Sequence, residues 1–258
     1  MTQVQLNNKS AEKFVQVFTN MKGYTDHITL FFRENGIYSQ GMDSAHISMY
    51  ELFFDQEWFD KYPEDLNIET SINTSLLHKV LSTHSSDHSI VLHIEDDSEL
   101  VIEFIPNTNL SNKKKFKINL MSIDCETLDI PEQEYSIQAS IPTKQLKSEI
   151  DELSLFGDNL IFKCISDEIS LQVKSEECQI DTIISKETMK SYEITENTKI
   201  SFHMKMIHTF MKFHKLSETI ELYISENIPM IMKYPQDDKK SFIRFFLAPK
   251  IDDDDDII

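Results

Sequence analysis

Four short stretches of this chain place apolar residues at helical spacing, and each is followed by a run of strand-like sequence. They begin at residues 10, 73, 142 and 205, about 65 residues apart in a chain of 258. In "SAEKFVQVFTNMK" (10 to 22), Ala11, Phe14, Val15, Phe18 and Met21 form one face, and Ser10 is the expected N-cap. "NTSLLHKVLS" (73 to 82) offers Leu76, Leu77, Val80 and Leu81. "PTKQLKSEIDEL" (142 to 153) offers Leu146, Ile150 and Leu153, with Pro142 near the first turn. "KMIHTFMKFHK" (205 to 215) offers Met206, Ile207, Phe210 and Phe213. A fourfold β-rich repeat with one helix per unit is the expectation, carried by pattern because residue identities barely repeat.

Strands account for most of the rest. "HITLFF", "ISMYELFF", "LNIETSI", "SIVLHIE", "ELVIEFI", "FKINLMSI", "NLIFKCI", "EISLQVK", "TIELYIS", "IPMIMKY" and "SFIRFFLA" mostly alternate apolar and polar residues, enriched in β-branched and aromatic types. "GIYSQGMDSAHISMYEL" (36 to 52) reads as a turn followed by a strand. Only Gly23, Gly36, Gly41 and Gly157 are glycine, and GxGxxG, GxxxxGK[ST] and GxSxG are absent. The familiar phosphate cradles and the nucleophile elbow are therefore missing.

No run approaches the roughly 18 to 20 apolar residues of a membrane span, and "MTQVQLNNKSAEK" has no signal-like apolar core. Cys125, Cys164 and Cys178 are odd in number and lack CxxC spacing, which argues against a disulfide framework or a zinc site. A soluble intracellular protein with no metal, cofactor or membrane partner is expected.

The net charge of −19 argues against a nucleic-acid partner on average, but says nothing about local gathering of the 25 basic residues. Only Arg33 and Arg244 are arginine; lysine suits phosphate better than base edges, so any nucleic-acid contact should ignore sequence. The polar face of the first helix carries Lys13, Gln16 and Asn20, with Lys9 before it and Lys22 at its end. Lys79 and Ser82 sit on the second, and Lys144, Lys147 and Ser148 on the third together with Asp151. The fourth carries Lys205, His208, Lys212 and Lys215 as one expected stripe. A lone lysine face is ordinary solvated surface. Repetition on equivalent helices points instead to one basic surface.

Between the halves, "MSIDCETLDIPEQEY" (121 to 135) is acidic, carries Asp124, Leu128, Ile130 and Pro131, and is poor in glycine and serine. It reads as an extended linker lying on a surface, dividing a domain at 1 to 120 from another at 136 to 250. "IDDDDDII" (251 to 258) cannot pack and is expected to be a disordered acidic tail. "MDSAH" juxtaposes acid, nucleophile and base types, yet Asp43, Ser44 and His46 do not naturally converge when neighbours alternate faces. It reads either as a strand end or as part of a grip on another protein.

"GMDSAHISMYEL", "LDIPEQEYS" and "FFLAPKIDDDD", in that order and at appropriate distances, are similar to proliferating cell nuclear antigen, the eukaryotic-type DNA sliding clamp family. The resemblance covers nearly the whole chain. It implies an α+β DNA clamp fold: two similar domains of antiparallel sheet with two helices each, in a pseudo-sixfold homotrimeric ring. The implied role is a non-enzymatic processivity factor that encircles duplex DNA and tethers DNA polymerase and other replication and repair proteins after a clamp loader opens the ring. The channel lysines would be Lys9, Lys13, Lys22, Lys79, Lys144, Lys147, Lys205, Lys212 and Lys215. A partner-peptide pocket would use Met42, His46, Ile47, Met49, Leu128, Ile130, Pro229, Phe246, Leu247, Ala248, Pro249 and Lys250. Met42 and Met49 suit such a site because a thioether adapts to varied ligands.

By the same resemblance, a strand around Lys113, Lys114, Lys115 and Phe116 would meet a strand near Glu176, Glu177, Cys178 and Asp181 of the next subunit. The sequence also departs from the family: Ser148 and Asp151 thin the inner charge, and Ser166 stands near "CISDE" where many clamps carry a modified loop lysine. Its Asn, Ile and Lys richness fits an AT-rich genome, so the implied location is the nucleus or a site of viral DNA replication. The alternative is a subunit of a heterotrimeric checkpoint-type clamp. A nuclease or polymerase would need clustered metal-binding acids, and the acids here are dispersed or in the tail.

Overall fold

The helical and strand periodicities are realised within two units of the computed structural model, which describes residues 2–94, 98–108, 111–123, 125–238 and 240–250. The acidic tail at 251–258 and Asp124 lie outside the described residues. Unit 1 comprises Met1–Ser44, Glu51–Asp129 and Gln236–Ile243; unit 2 comprises Ala45–Tyr50, Ile130–Pro235 and Arg244–Ile258. Each unit therefore takes a short piece of chain from the other half of the sequence.

Unit 1 runs β1 (Thr2–Leu6), α1 (Asn8–Met21), β2 (His27–Arg33), β3 (Gly36–Met42), β4 (Ser48–Asp55), β5 (Ile68–Asn73), α2 (Thr74–Leu81), β6 (His88–Ile94), β7 (Glu99–Pro106) and β8 (Lys114–Asn119). Its strands lie in the orders β1-β6-β7-β8 and β4-β3-β2-β5. Unit 2 runs β9 (Ile137–Pro142), α3 (Thr143–Leu153), β10 (Asn159–Ile165), β11 (Glu168–Lys174), β12 (Gln179–Ser185), β13 (Ser191–Ile194), β14 (Thr198–His203), α4 (Met204–Phe210), β15 (Thr219–Ile224), β16 (Met230–Pro235) and β17 (Phe242–Leu247). Its orders are β13-β9-β15-β16-β17 and β12-β11-β10-β14, although Ser48–Tyr50 of β4 count with unit 2 and Phe242–Ile243 of β17 with unit 1. The two series match strand for strand apart from β13, which pairs antiparallel with β9. In unit 1 that place is held by a single bridge, Gln5 to Lys61. The fourfold β-rich repeat is thus present, two repeats to a unit.

The helices form for local reasons that differ in detail from the expected ones. Asn7, not Ser10, caps α1: its side-chain oxygen accepts the Ser10 N–H at 3.0 Å, while the Ser10 hydroxyl turns inward to donate to the Trp58 carbonyl. Asn73 caps α2 in the same way through the Leu76 N–H. The buried face of α1 includes Val17, with Val15 only half-buried. On α2, Thr74, Leu77, Val80 and Leu81 turn inward and Leu76 is exposed, because the stripe follows the i, i+3 and i+7 rows from Thr74. The α3 face, Leu146, Ile150 and Leu153, is as expected. Helix α4 stops at Phe210 and tightens into a 3-10 turn, Met211–Phe213. Met204 and Met211 are buried there, while Met206 is only half-buried. Of the expected basic stripe, Lys205 and His208 lie on α4, Lys212 on the 3-10 turn and Lys215 beyond it.

Residues 36–42 form β3 rather than a turn. Gly36 explains the tight entry: its φ is 139°, and a Cβ there would lie 2.0 Å from the Phe54 carbonyl oxygen. Aromatic stacking fills both interiors. Phe54 stacks on Trp58 at 4.1 Å in unit 1, and Phe210 on Phe245 at 4.5 Å in unit 2. Each fully buried phenylalanine contributes about 1.5–3 kcal/mol relative to exposure. Tyr234, its ring 6.5 Å from Phe245, donates its hydroxyl to the Phe210 carbonyl at 2.9 Å, so that buried hydroxyl is satisfied.

After β8 the chain lies along unit 1, held at three points. The Met121 N–H donates to the Ser71 carbonyl at 2.8 Å, Cys125 Sγ meets Thr29 Oγ1 at 3.1 Å, and the Gln40 amide brackets Leu128 with two bonds of 3.0 Å. This stretch is an extended strap.

Candidate functional site

The expected channel lysines lie on or beside the four helices, and the ion pairs on them are uneven. Lys9, Lys22, Lys79, Lys144, Lys205, Lys212 and Lys215 are exposed; Lys13 and Lys147 are half-buried. In unit 1, Lys9 Nζ lies 2.6 Å and Lys13 Nζ 3.3 Å from the same oxygen of Asp237, in the turn after β16. The Lys9 contact, with Lys13 behind it, holds the Asp237 carboxyl below its ordinary range, and Asp237 in turn raises Lys9. In unit 2, Lys147 pairs with Asp151 one helical turn on, and His208 Nε2 lies 3.4 Å from the other Asp151 oxygen. The acid expected to thin the third helix does so by direct contact.

The residues assigned by resemblance to peptide docking divide between the units. In unit 1, Met42 and Leu128 are both exposed, Leu128 to 53%. Leu128 is bonded through its backbone to Gln40, which shares a face of β3 with Met42. In unit 2, Ile47, Met49, Ile130, Ala248, Pro249 and Lys250 are half-buried, and His46 and Pro229 are exposed. The Ala248 N–H donates to the Ile47 carbonyl at 3.0 Å, and the Lys250 N–H to Ser201 at 2.8 Å, so the "LAPK" stretch is fixed on both sides. Leu247 is fully buried and Phe246 nearly so, which makes them supports of this stretch more than surfaces of it. His46 has φ 56°, a left-handed turn residue between β3 and β4. Asp43 is buried while Ser44 and His46 are exposed, an arrangement unlike a nucleophile and its base.

Among the described residues, β8 is an edge strand of one sheet in unit 1 and β12 an edge strand of one sheet in unit 2. Lys113, Lys114 and Lys115 are exposed and Phe116 is half-buried, its ring 5.4 Å from Phe104. Their charges are already engaged: Lys113 Nζ lies 2.8 Å and Lys115 Nζ 3.4 Å from Glu103, and Lys114 donates to the Thr83 carbonyl. Glu103 is buried on β7, and Lys113 above all holds its carboxyl down to about 2. On the other edge, Glu176, Glu177 and Cys178 lie in the turn before β12, not on the strand, and Asp181 accepts from Gln179. Ile183 projects from β12 with 60% exposure, and Leu155 and Phe156 are exposed beyond α3.

Sequence reasoning missed Glu103, Gln40, Asp237 and Ile183. The alternation of β7 opposite β8 placed Glu103 across from Lys115, a signal that was readable once register is known. For Asp237 nothing local pointed to α1.

Two domains of this repeated antiparallel pattern, each with a pair of helices bearing lysines, have the fold of a DNA sliding clamp. The chain belongs to the proliferating cell nuclear antigen family: the family's N-terminal domain matches residues 1–128 and its C-terminal domain residues 129–251. Among solved structures it is similar to the proliferating cellular nuclear antigen from Entamoeba histolytica, with a TM-score of 0.88 and 25% identity, over 97% of this chain and 100% of that one.

Proposed function

We propose that the protein is a homotrimeric sliding clamp, a non-enzymatic processivity factor that encircles duplex DNA in the nucleus or at a site of viral replication. Replication and repair enzymes, DNA polymerase among them, would dock by a short peptide on the residues assigned to that role above, after a loader has opened the ring. The observation that carries this reading is the presence of β8 and β12 as sheet-edge strands in a chain of the clamp family. An unpaired edge invites another strand, and joining β8 of one copy to β12 of the next closes a ring by heterologous contact. With Lys113 and Lys115 bound to Glu103, Ile183, Leu155, Phe156 and Phe116 become the main candidates for contact energy at that seam.

A ring of charge −57 (three times −19) should hardly adhere to DNA from outside. Retention would come from topology, aided by helix lysines whose attraction to phosphate salt weakens. On nicked circular DNA, loaded protein is expected to survive a moderate salt wash and to leave once the circle is cut. Equal loss from circles and linear DNA would sink the clamp reading. Light scattering should give a mass three times 30.2 kDa for this chain alone; a monomer that enters a ring only with other chains would favour the heterotrimeric alternative.

A further inference from the structure

Each unit sets one aspartate against its basic helix face. Asp237 draws in Lys9 and Lys13 on α1, and Asp151 draws in Lys147 on α3 and faces His208 on α4. The two acids come from unrelated places, a strand-connecting turn in one unit and a helix in the other. Neither carboxylate is needed to fill the core, since Asp237 is exposed and Asp151 half-buried. Such pairs do little for stability: exposed ion pairs are worth about 0–1 kcal/mol. They do act on anything that competes for the same ammonium groups.

We infer that Asp237 and Asp151 are built-in brakes on DNA affinity, lowering the hold of the helix lysines on duplex phosphate. The inference rests on the clamp reading only for its meaning, since the contacts themselves lie within single units. Two effects share one sign. A phosphate must displace the carboxylate to reach Lys9, Lys13 or Lys147, and the carboxylate repels the phosphate directly. Lys13 shows the first most clearly: its side chain keeps only 17% exposure while it reaches toward Asp237. In charge terms, Lys9 and Lys13 present one net positive charge in place of two, and Lys147 none. A clamp that must move along DNA gains from this, because each firmly held phosphate is a contact to be broken at every step.

The test uses the full-length protein and a linear blunt-ended duplex of about 40 base pairs, titrated by fluorescence anisotropy across a salt series. Asp237→Asn and Asp151→Asn should each tighten binding about threefold at low salt, and together about tenfold. The log–log salt slope should steepen by about one for each phosphate contact released. Adding Lys13→Ala to Asp237→Asn should take back most of that variant's gain. Glu132→Gln, which makes the same charge change at an exposed residue of the 121–135 linker, should shift binding far less. An unchanged affinity in the double variant, with mass and circular dichroism intact, would overturn the inference; so would an equal gain from Glu132→Gln. The two readings fail separately. If the Asn variants bind more tightly but loaded protein leaves circles and linear DNA alike, the brake stands and the clamp reading falls. If circles retain the protein and the Asn variants bind as before, the reverse holds.

Discussion

Unit 1 and unit 2 share one topology and treat charge in different ways. The edge strand of unit 1, β8, carries lysines tied down by a buried carboxylate, Glu103, with His93 Nε2 beside it at 3.2 Å. The edge strand of unit 2, β12, has no ion pair among the described residues and displays Asp181 and Ile183. Burial pattern is what the fold demands, so it is repeated; edge chemistry is free to diverge. The divergence also has a sign. Two β8 edges would bring lysines together and two β12 edges would bring acids together, so pairing of unlike edges is favoured over pairing of like ones.

The largest expected effect breaks the unit 1 side of this comparison at a turn. Gly36→Ala should cost about 3 kcal/mol or more, because the added Cβ meets backbone in a left-handed conformation. Gly157→Ala, in unit 2, meets a Val173 methyl at 2.7 Å and the Lys174 carbonyl at an ordinary 3.6 Å, and should cost about 1–2 kcal/mol. Urea melts of the two variants would show the gap; equal losses would contradict the geometry.

Next comes the tied edge. Glu103→Gln should destabilise by about 1–3 kcal/mol at neutral pH, since it removes the shared partner of Lys113 and Lys115. The pH window follows from the depressed carboxyl. Glu103 sits at about 2 against an ordinary 4.5, so its contribution is complete above about 4.5 and is lost as pH falls toward 2. Melts of the parent should therefore weaken across that window more steeply than melts of Glu103→Gln. Parallel curves would remove Glu103 from the account.

A smaller effect falls on assembly. Ile183→Glu should weaken trimer association about tenfold or more, close to 1.4 kcal/mol, with little change in the melting of the separated chain. Reversing Lys113, Lys114 and Lys115 to glutamate should also weaken it, by exposing Glu103 to like charge. Sedimentation at falling concentration would rank the two; a trimer indifferent to Ile183→Glu would return the seam to charge pairing. Smallest of all, Gln40→Ala removes both bonds to Leu128 and should cost about 1 kcal/mol. Faster hydrogen exchange confined to the strap near Leu128 is the expected sign.

The helix positions and two-unit repeat were legible because apolar side chains at fixed spacing leave a local trace. Leu146, Ile150 and Leu153 on α3 needed nothing beyond that trace. Where polar residues share the burial, the trace fails: Thr74 is inside and Leu76 outside. Local pattern does not reveal β1 and β13, and β12 enters by resemblance alone, because "TQVQL", "SYEI" and "QIDTIIS" are short, polar or at an edge, where alternation is weakest. The basic faces were visible as lysine counts, but their partners were not. Asp237 reaches Lys9 only through the folded chain, and the ties of Lys113 and Lys115 to Glu103 depend on strand register.

The eight residues that unit 1 takes from the second half of the sequence have a consequence for synthesis. Gln236–Ile243 belong to unit 1, where the Ser241 hydroxyl receives the Asp55 N–H at 2.9 Å, Lys240 meets Glu57 at 2.8 Å and Phe242 packs 6.3 Å from Phe53. A ribosome delivers these residues only after Ile130–Pro235 has emerged. At about 5–20 residues per second, that stretch takes roughly 5–20 s. During this interval the first-made unit waits with its β4 end uncovered. Unit 1 is completed only by these residues, and unit 2 later still, by Arg244–Leu247 of β17.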